Sequence, residues 1–367
     1  MTDIVDTGDV ALYAAYDNRY ARQEARFGVE RRVLERVPVI DLSAFVDDGP
    51  LADRREVAAR LRAACVDIGF FYLEGHGIPV SELEELNALG NRFFALPLGE
   101  KMKVHASKSP TRRGFMQTGG LDPGGDAART PDIKERFMMS REPLPGETNF
   151  GYNVGQSQWP DESVAPGFES FMKRHMRDRV VLAQRLARAF ALSLALPEDY
   201  FDDVYARPGG TLALNYYPHI APERLASTQW SFSPHTDYGG ITLLTQDSVG
   251  GLQARNAAGD WIDVPPREGA FVVNIGDMFA MWTNDLYTSN LHRAMNASGK
   301  ARLSAAFFTS PAGETVLQCL PTCHGPGNPP RYEPVRADDY YNALIRQAHA
   351  TGRPGISTQT ARRLKAG

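Results

Sequence analysis

The sequence predicts an α+β fold with a mainly β core, a sandwich or barrel of short strands flanked by helices. Two observations predict it. From Thr211 onward the chain breaks into short β-prone runs, "TLALNYYP", "GITLLTQ", "GLQARN", "WIDVPP", "GAFVVNIGD", "SNLHRAMN" and "RLSAAFFTS". Regular short strands divided by turn residues belong to sandwiches and barrels. Outside that block, apolar residues return at helical spacing.

The elements follow in order. Residues 1–35 read as a polar N-terminal extension, partly helical, and "PVIDLS" (38–43) as a short strand closed by turn chemistry. In "LADRREVAARLRAACVDIG" (51–69), Val57, Leu61, Ala64 and Ile68 share one face of a helix. "FFYLEGHGIP" is a buried strand that leaves through Gly75, Gly77 and Pro79. Ser81, with Glu84 at the capping-box position, opens the helix "SELEELNALGNRFFAL". Residues 106–165, rich in Gly, Pro, Ser and Asp, read as irregular binding loops. The longest helical pattern (167–196) stops at Pro197, and "ADDYYNALIRQAHA" (337–350) closes the chain as a helix. There is no internal repeat or low-complexity tract.

Composition narrows the partners. The chain has 367 residues, 43% hydrophobic and 23% charged, enough for a large core. Lys+Arg 40 against Asp+Glu 44 gives no electrostatic reason to expect nucleic acid or an anionic membrane surface. The three cysteines do not make a disulfide scaffold. The acidic start "MTDIVDTGDV" is not a secretory signal. No apolar run approaches the ~20 residues of a membrane span. The expectation is a cytoplasmic protein, a monomer or weak homo-oligomer, that acts on a small molecule.

The chemistry gathers around "SPHTDYGGITLLTQD" (233–247). His235 and Asp237 stand two apart where a strand meets the Gly239–Gly240 turn, so both leave the same face. Alone, the pair leaves solvated turn chemistry and a metal site both open. "NLHRAMN" offers a third ligand, His292. Two imidazoles and one carboxylate on one side of a metal leave three coordination positions open, the facial arrangement of non-haem Fe(II) oxygenases. A closed four-ligand zinc site leaves none. "RLS" adds Arg302 and Ser304, expected on a barrel strand neighbouring that of His292 and facing inward with it. A buried guanidinium and hydroxyl call for an anion, and Arg fits a carboxylate bidentately. Asn215 and Tyr217 in "NYYP" share a face in the same way, with core packing as the plain alternative.

The set "NYYP … HTDYGGITLLTQD … VGGLQ … VNIGD … TND … SNLHRAMN … RLSAAFF", with "PVIDLS" and "GFFYLEGHGIP" upstream, resembles the Fe(II)/2-oxoglutarate-dependent dioxygenases of the isopenicillin N synthase-like family. The likeness covers residues 36–350 as a single dioxygenase domain and leaves a tail at 351–367. Within it, 36–165 is the N-terminal helix/strand region with substrate loops, 166–205 the scaffold helix and 208–312 the core. The resemblance implies a distorted jelly-roll, or double-stranded β-helix, flanked by helices. It implies His235, Asp237 and His292 as iron ligands. Arg302 and Ser304 match the pair for the far carboxylate of 2-oxoglutarate, Tyr217 a tyrosine touching that carboxylate, and Asn215 a residue near the chelating end. Fe(II), 2-oxoglutarate and O2 are then the cofactor and cosubstrates. The implied reaction couples oxidative decarboxylation to succinate and CO2 with hydroxylation, desaturation or cyclisation of a metabolite, in secondary metabolism. Asp237 argues against the halogenating branch, which leaves that position open for chloride.

Candidate substrate contacts are Arg112, Arg113, Phe115, Phe137, Met138, Phe307 and Phe308, with a solvated basic turn and ordinary core packing as the alternatives. Lys134 and Glu135 are expected to be structural, and the loose spacing of Cys319, Cys323 and His324 does not make a zinc site. Two rival functions remain at this stage. One is an oxidase of the same fold that uses O2 without 2-oxoglutarate; the other is a non-catalytic metal- or ligand-binding jelly-roll.

Overall fold

The protein's structure, a computed structural model, describes residues 27–117, 134–143, 147, 155–219, 231–296 and 298–351. Most of the expected N-terminal extension and nearly all of the tail lie outside these residues. Strand β1 (Val39–Asp41) leads through a short helix α1 (Ser43–Val46) to α2 (Leu51–Asp67) and β2 (Phe70–Glu74). Helices α3 (Val80–Phe94) and α4 (Leu98–Lys103) precede β3 (Gly114–Met116) and β4 (Glu135–Ser140). The long helix α5 (Phe168–Ser193) and short α6 (Asp202–Tyr205) follow. Then come β5 (Gly209–Tyr217), β6 (Phe232–His235), β7 (Ile241–Gln246), β8 (Leu252–Arg255), β9 (Trp261–Asp263) and β10 (Phe271–Ile275). Helix α7 (Asp277–Trp282) leads to β11 (His292–Ala294) and β12 (Arg302–Ser310). A small pair, β13 (Val316–Leu317) with β14 (Val335–Arg336), and helix α8 (Ala337–Thr351) end the described chain.

Two sheets face one another. The major sheet has the order β1-β2-β10-β7-β12-β5-β4-β3 and the minor sheet β6-β11-β8-β9. Side chains of the major sheet alternate strictly, as the two-residue period of a strand requires. Phe71, Leu73, Leu212, Leu214, Leu243, Val273, Leu303, Ala305 and Phe307 point outward into a core shared with the helices. Their neighbours Asn215, Tyr217, Thr242, Asn274, Arg302, Ser304 and Phe308 point inward and line the cleft between the sheets. The structure is the jelly-roll flanked by helices that the resemblance implies.

Helix α5 braces the outer face. Phe171, Met172, Leu182, Leu186 and Phe190 recur on one stripe and are buried, each worth about 1.5–3 kcal/mol of apolar burial. Arg179, on the same stripe, donates from Nη1 to the Leu243 carbonyl at 3.0 Å and from Nη2 to Thr245 Oγ1 at 3.3 Å. It ties the helix to β7.

The structure corrects three expectations. Ser81 does not cap α3; the helix begins one residue earlier behind Pro79, with no side-chain cap. Pro79 offers no side-chain acceptor, and the Glu82 N–H closes the first turn on the Pro79 carbonyl at 3.0 Å. Residues 106–165 are not wholly irregular, because β3 and β4 extend the major sheet, β3 pairing with β4 and β4 with β5 through Phe137 opposite Leu214. Finally, His292 and Arg302 are not on neighbouring strands: β11 pairs with β6 and β8, β12 with β5 and β7. They face the same cleft from opposite sheets.

Candidate metal centre

Strands β6 and β11 run antiparallel with His235 directly opposite His292. The two imidazoles are therefore cross-strand neighbours, ring centroids 4.3 Å apart, although they stand 57 positions apart in sequence. Asp237 lies just past the end of β6, in a turn held by main-chain bonds. Asp277 N–H donates to the Asp237 carbonyl at 2.8 Å, Met278 N–H to that of Gly239 at 3.1 Å, and Gly240 N–H to that of Thr309 at 2.7 Å. Glycine is required by space here: a Cβ on Gly239 would lie 2.6 Å from the Thr309 oxygen, and one on Gly276 2.2 Å from the Gly239 oxygen. The turn sets Asp237 Oδ1 3.8 Å from His235 Nε2 and 3.6 Å from His292 Nε2. All three candidate ligand atoms lie within 4.8 Å of one another.

The far atoms of the three side chains are already engaged. His235 Nδ1 meets the Ser233 carbonyl at 2.8 Å and His292 Nδ1 that of Asn290 at 3.1 Å. A carbonyl only accepts, so each Nδ1 carries the proton and each Nε2 presents a lone pair to the centre. Asp237 Oδ2 accepts from Thr242 Oγ1 at 2.5 Å and Asn274 Nδ2 at 2.7 Å, leaving Oδ1 turned inward. Burial, and then His292, hold the His235 imidazole far below its ordinary value, so it is neutral. Burial alone would raise the Asp237 carboxyl; the two histidines, Asn274 and Thr242 together outweigh it and lower it, so it is ionised. A neutral imidazole and an ionised carboxylate are the donor forms a divalent metal takes.

The opposite wall belongs to the major sheet. Arg302 pairs across to Tyr217 and Ser304 to Asn215. The Arg302 guanidinium stacks on the Tyr217 ring at 4.9 Å and donates from Nη2 to Gln246 Oε1 at 3.0 Å. Its Nε and Nη1 are buried without a partner, as is Asn215 Oδ1. Buried donors left unsatisfied are costly, and a bound carboxylate is the chemistry that answers two guanidinium N–H groups. The residues thus fit both a facial metal and an acid beside it. The cleft measures about 480 Å³ including its open mouth.

The expected substrate contacts separate. Phe308 lines the cleft, and Met138 shares the inward face of β4, opposite Ala213. Phe115 and Phe137 do not reach it. They point outward by the same alternation and pack on Phe93, at 6.3 and 4.5 Å. Arg113 is fully buried and structural, donating to Ser140 Oγ at 2.5 Å, the Thr111 carbonyl at 3.0 Å and Thr211 Oγ1 at 3.3 Å. Arg112 is exposed in a turn, at φ 52°. Phe307 belongs to the outer core. Glu135 forms an ion pair with Lys101 at 2.7 Å.

Sequence reasoning left four participants unassigned. Thr242 and Asn274 orient Asp237, and Phe232 stacks on His235 at 4.1 Å. Arg136, inward on β4 opposite Asn215, is the fourth. Strand alternation in "GITLLTQ" and "FVVNI" is the signal that would have turned Thr242 and Asn274 inward.

Comparison with known proteins agrees with this geometry. The profile of the 2OG-Fe(II) oxygenase superfamily matches residues 208–311, and one described as non-haem dioxygenase in morphine synthesis N-terminal matches 37–162. The chain is 34% identical over 326 residues to the 2-oxoglutarate-Fe(II) type oxidoreductase ppzC of Metarhizium majus, covering 84% of this chain and 86% of that protein. It is 33% identical over 310 residues to azadirone synthase LFS of Melia azedarach, covering 82% and 91%. Among solved structures, full-length Neurospora crassa T7H with alpha-KG superposes with a TM-score of 0.76 at 29% identity, covering 85% of this chain and 96% of that one. JOX2 in complex with 2OG, Fe and JA gives 0.70 at 26%, covering 90% of each.

Proposed function

Because the chain belongs to the 2OG-Fe(II) oxygenase superfamily and is an Fe(II)- and 2-oxoglutarate-dependent dioxygenase, we propose that His235, Asp237 and His292 hold its iron. Arg302 and Ser304, with Tyr217 and Asn215, hold the cosubstrate. One observation carries this reading: three ligand atoms within 4.8 Å on one wall face a buried guanidinium with two unpartnered N–H groups on the other.

Fe(II), when bound, supplies activation of O2 coupled to conversion of 2-oxoglutarate to succinate and CO2 and to oxidation of a small-molecule metabolite. The residues supply position. Asp237 and the two imidazoles would hold the metal from one wall of the cleft. Arg302 and Ser304 receive the far carboxylate, and the Tyr217 ring keeps the guanidinium plane in place. Phe308, Leu244 and Leu252 keep the cleft wall apolar, which strengthens each charged contact inside it.

Hydroxylation, desaturation and cyclisation all suit this arrangement. Relatives named for metabolite-forming steps, such as azadirone synthase, support a place in secondary metabolism. No helix among the described residues is long and apolar enough to cross a membrane, and the three cysteines are free thiols. The free thiols suit a reducing cytoplasm.

The test is anaerobic addition of Fe(II) and then 2-oxoglutarate to the purified chain, followed by turnover with O2. A visible charge-transfer band and succinate formed in step with O2 consumed are expected. Turnover without succinate would instead assign an oxidase that takes every electron from its substrate.

A further inference from the structure

Arg136 is the group the iron reading does not use. It faces the cleft, because its neighbours Phe137 and Met139 point outward into the helix-side core and its Cα lies opposite Asn215. The side chain is partly buried, and its Nε is enclosed without a partner. Its guanidinium makes no ion pair or hydrogen bond among the described residues; the Phe232 ring lies 6.0 Å from Cζ, and Tyr217, Tyr341 and Asp237 act on it only through space. Two residues back on the same face, Lys134 is buried with Nζ above the same ring, 2.8 Å from its centroid. Two cations thus flank an aromatic ring whose other neighbour is the His235 imidazole, stacked at 4.1 Å.

Position separates this cation from the cosubstrate anchor. Asn215 on β5 stands between Arg136 on β4 and Ser304 on β12. Two strand spacings put Arg136 about 10 Å from Ser304 along the sheet. One short diacid cannot use the metal, Arg302 and Arg136 together. A guanidinium enclosed beside an open site, with an N–H unsatisfied, asks for an anion of its own.

We propose that Arg136 is the specificity-determining anchor of the primary substrate, and that this substrate is a small carboxylic acid. Its carboxylate meets the guanidinium, and its apolar or aromatic body lies along Phe232, so that the oxidised carbon reaches the metal about one ring away. Lys134 adds positive potential from the same strand. The inference rests on the iron reading above and names the substrate class of that site.

The experiment titrates the Fe(II)/2-oxoglutarate-loaded full chain, without O2, with benzoate, phenylacetate and 3-phenylpropionate, and with the three matching primary amides. Binding is read by calorimetry and by perturbation of the charge-transfer band. At least one acid is expected to bind about 10-fold or more tightly than its amide, as a charge-assisted pair requires. That preference should fall below about 2-fold in both Arg136→Leu and Arg136→Gln, and return in part in Arg136→Lys, which keeps the charge but not the fork. The band itself reports whether each variant has kept its site. A wild-type chain that takes acids and amides alike, or binds neither, overturns the proposal, as does an acid preference that survives both neutral substitutions. A wild-type chain with no band at all overturns the iron assignment, whereas a normal band with no acid preference overturns only the Arg136 anchor.

Discussion

Replacing Arg302 with methionine separates what that residue does for the fold from what it does for the cosubstrate. Arg302 is 2% exposed, its Nη2 is bonded to Gln246, and its Nε and Nη1 have no partner in the protein. Methionine keeps most of the buried stem and removes an incompletely paired charge, an exchange that is often neutral or stabilising by about 1–4 kcal/mol. The ligand-free chain should therefore melt no lower than wild type. For 2-oxoglutarate the loss is two charge-assisted hydrogen bonds at about 1.5–3 kcal/mol each. That sum, about 3–6 kcal/mol, corresponds to a fall in affinity of roughly 10²- to 10⁴-fold. The assay is anaerobic titration of 2-oxoglutarate into Fe(II)-loaded protein, followed by the charge-transfer band, beside denaturant melts of the ligand-free chain. An affinity within about 3-fold of wild type, or a ligand-free chain destabilised by more than about 1 kcal/mol, refutes the reasoning.

Asp237→Ala should abolish Fe(II) binding in anaerobic equilibrium dialysis, and Asn274→Ala should weaken it by about 10- to 100-fold, because the amide holds Oδ2 away from the metal side. Wild-type iron affinity in Asn274→Ala would contradict that role. Arg113→Met should cost roughly 2–4 kcal/mol in urea unfolding, since two buried hydroxyls and a part-buried carbonyl lose their donor, while 2-oxoglutarate binding is unchanged; a shift in that binding would return Arg113 to the site. Burial, and then Arg179 and Arg174, hold His175 well below its ordinary value, and its Nε2 accepts from Arg179 Nε at 2.7 Å. The folded state refuses a proton that the unfolded state takes up, so this contribution is complete above about pH 6.5. It is lost as pH falls below that value, by up to about 1.4 kcal/mol per unit. Urea midpoints at descending pH should therefore fall less steeply for His175→Gln than for wild type, and parallel slopes would remove His175 as the cause.

The β texture after Thr211, the long helix and the three candidate ligand residues were visible because each rests on local spacing: period two, period 3.6, or a short motif. What escaped depends on pairing between distant segments. Nothing local says that His292 lies opposite His235, or that Arg302 faces His292 from the other sheet, because strand order is a property of the whole barrel. β3 and β4 were hidden in a Gly- and Pro-rich stretch where composition overrides pattern, and with them the alternation that turns Phe115 and Phe137 outward and Arg136 inward. Ser81 failed as a cap because a capping-box pattern fixes neither the backbone angle nor the residue at which the helix begins. Arg112 and Arg113, adjacent and chemically identical, part ways for a reason no sequence carries: one is in a turn and the other beneath a sheet.

The division of the cleft between its walls has a mechanical consequence. The proposed metal ligands ride on the minor sheet and its Gly239 turn, while Arg302 and Ser304 ride on the major one. A molecule that grips both is a bolt through two leaves of a hinge, and neither leaf can drift without straining it. Seating such a molecule therefore fixes the width of the gap into which the next molecule must slide. The first occupant sets the gauge for the second.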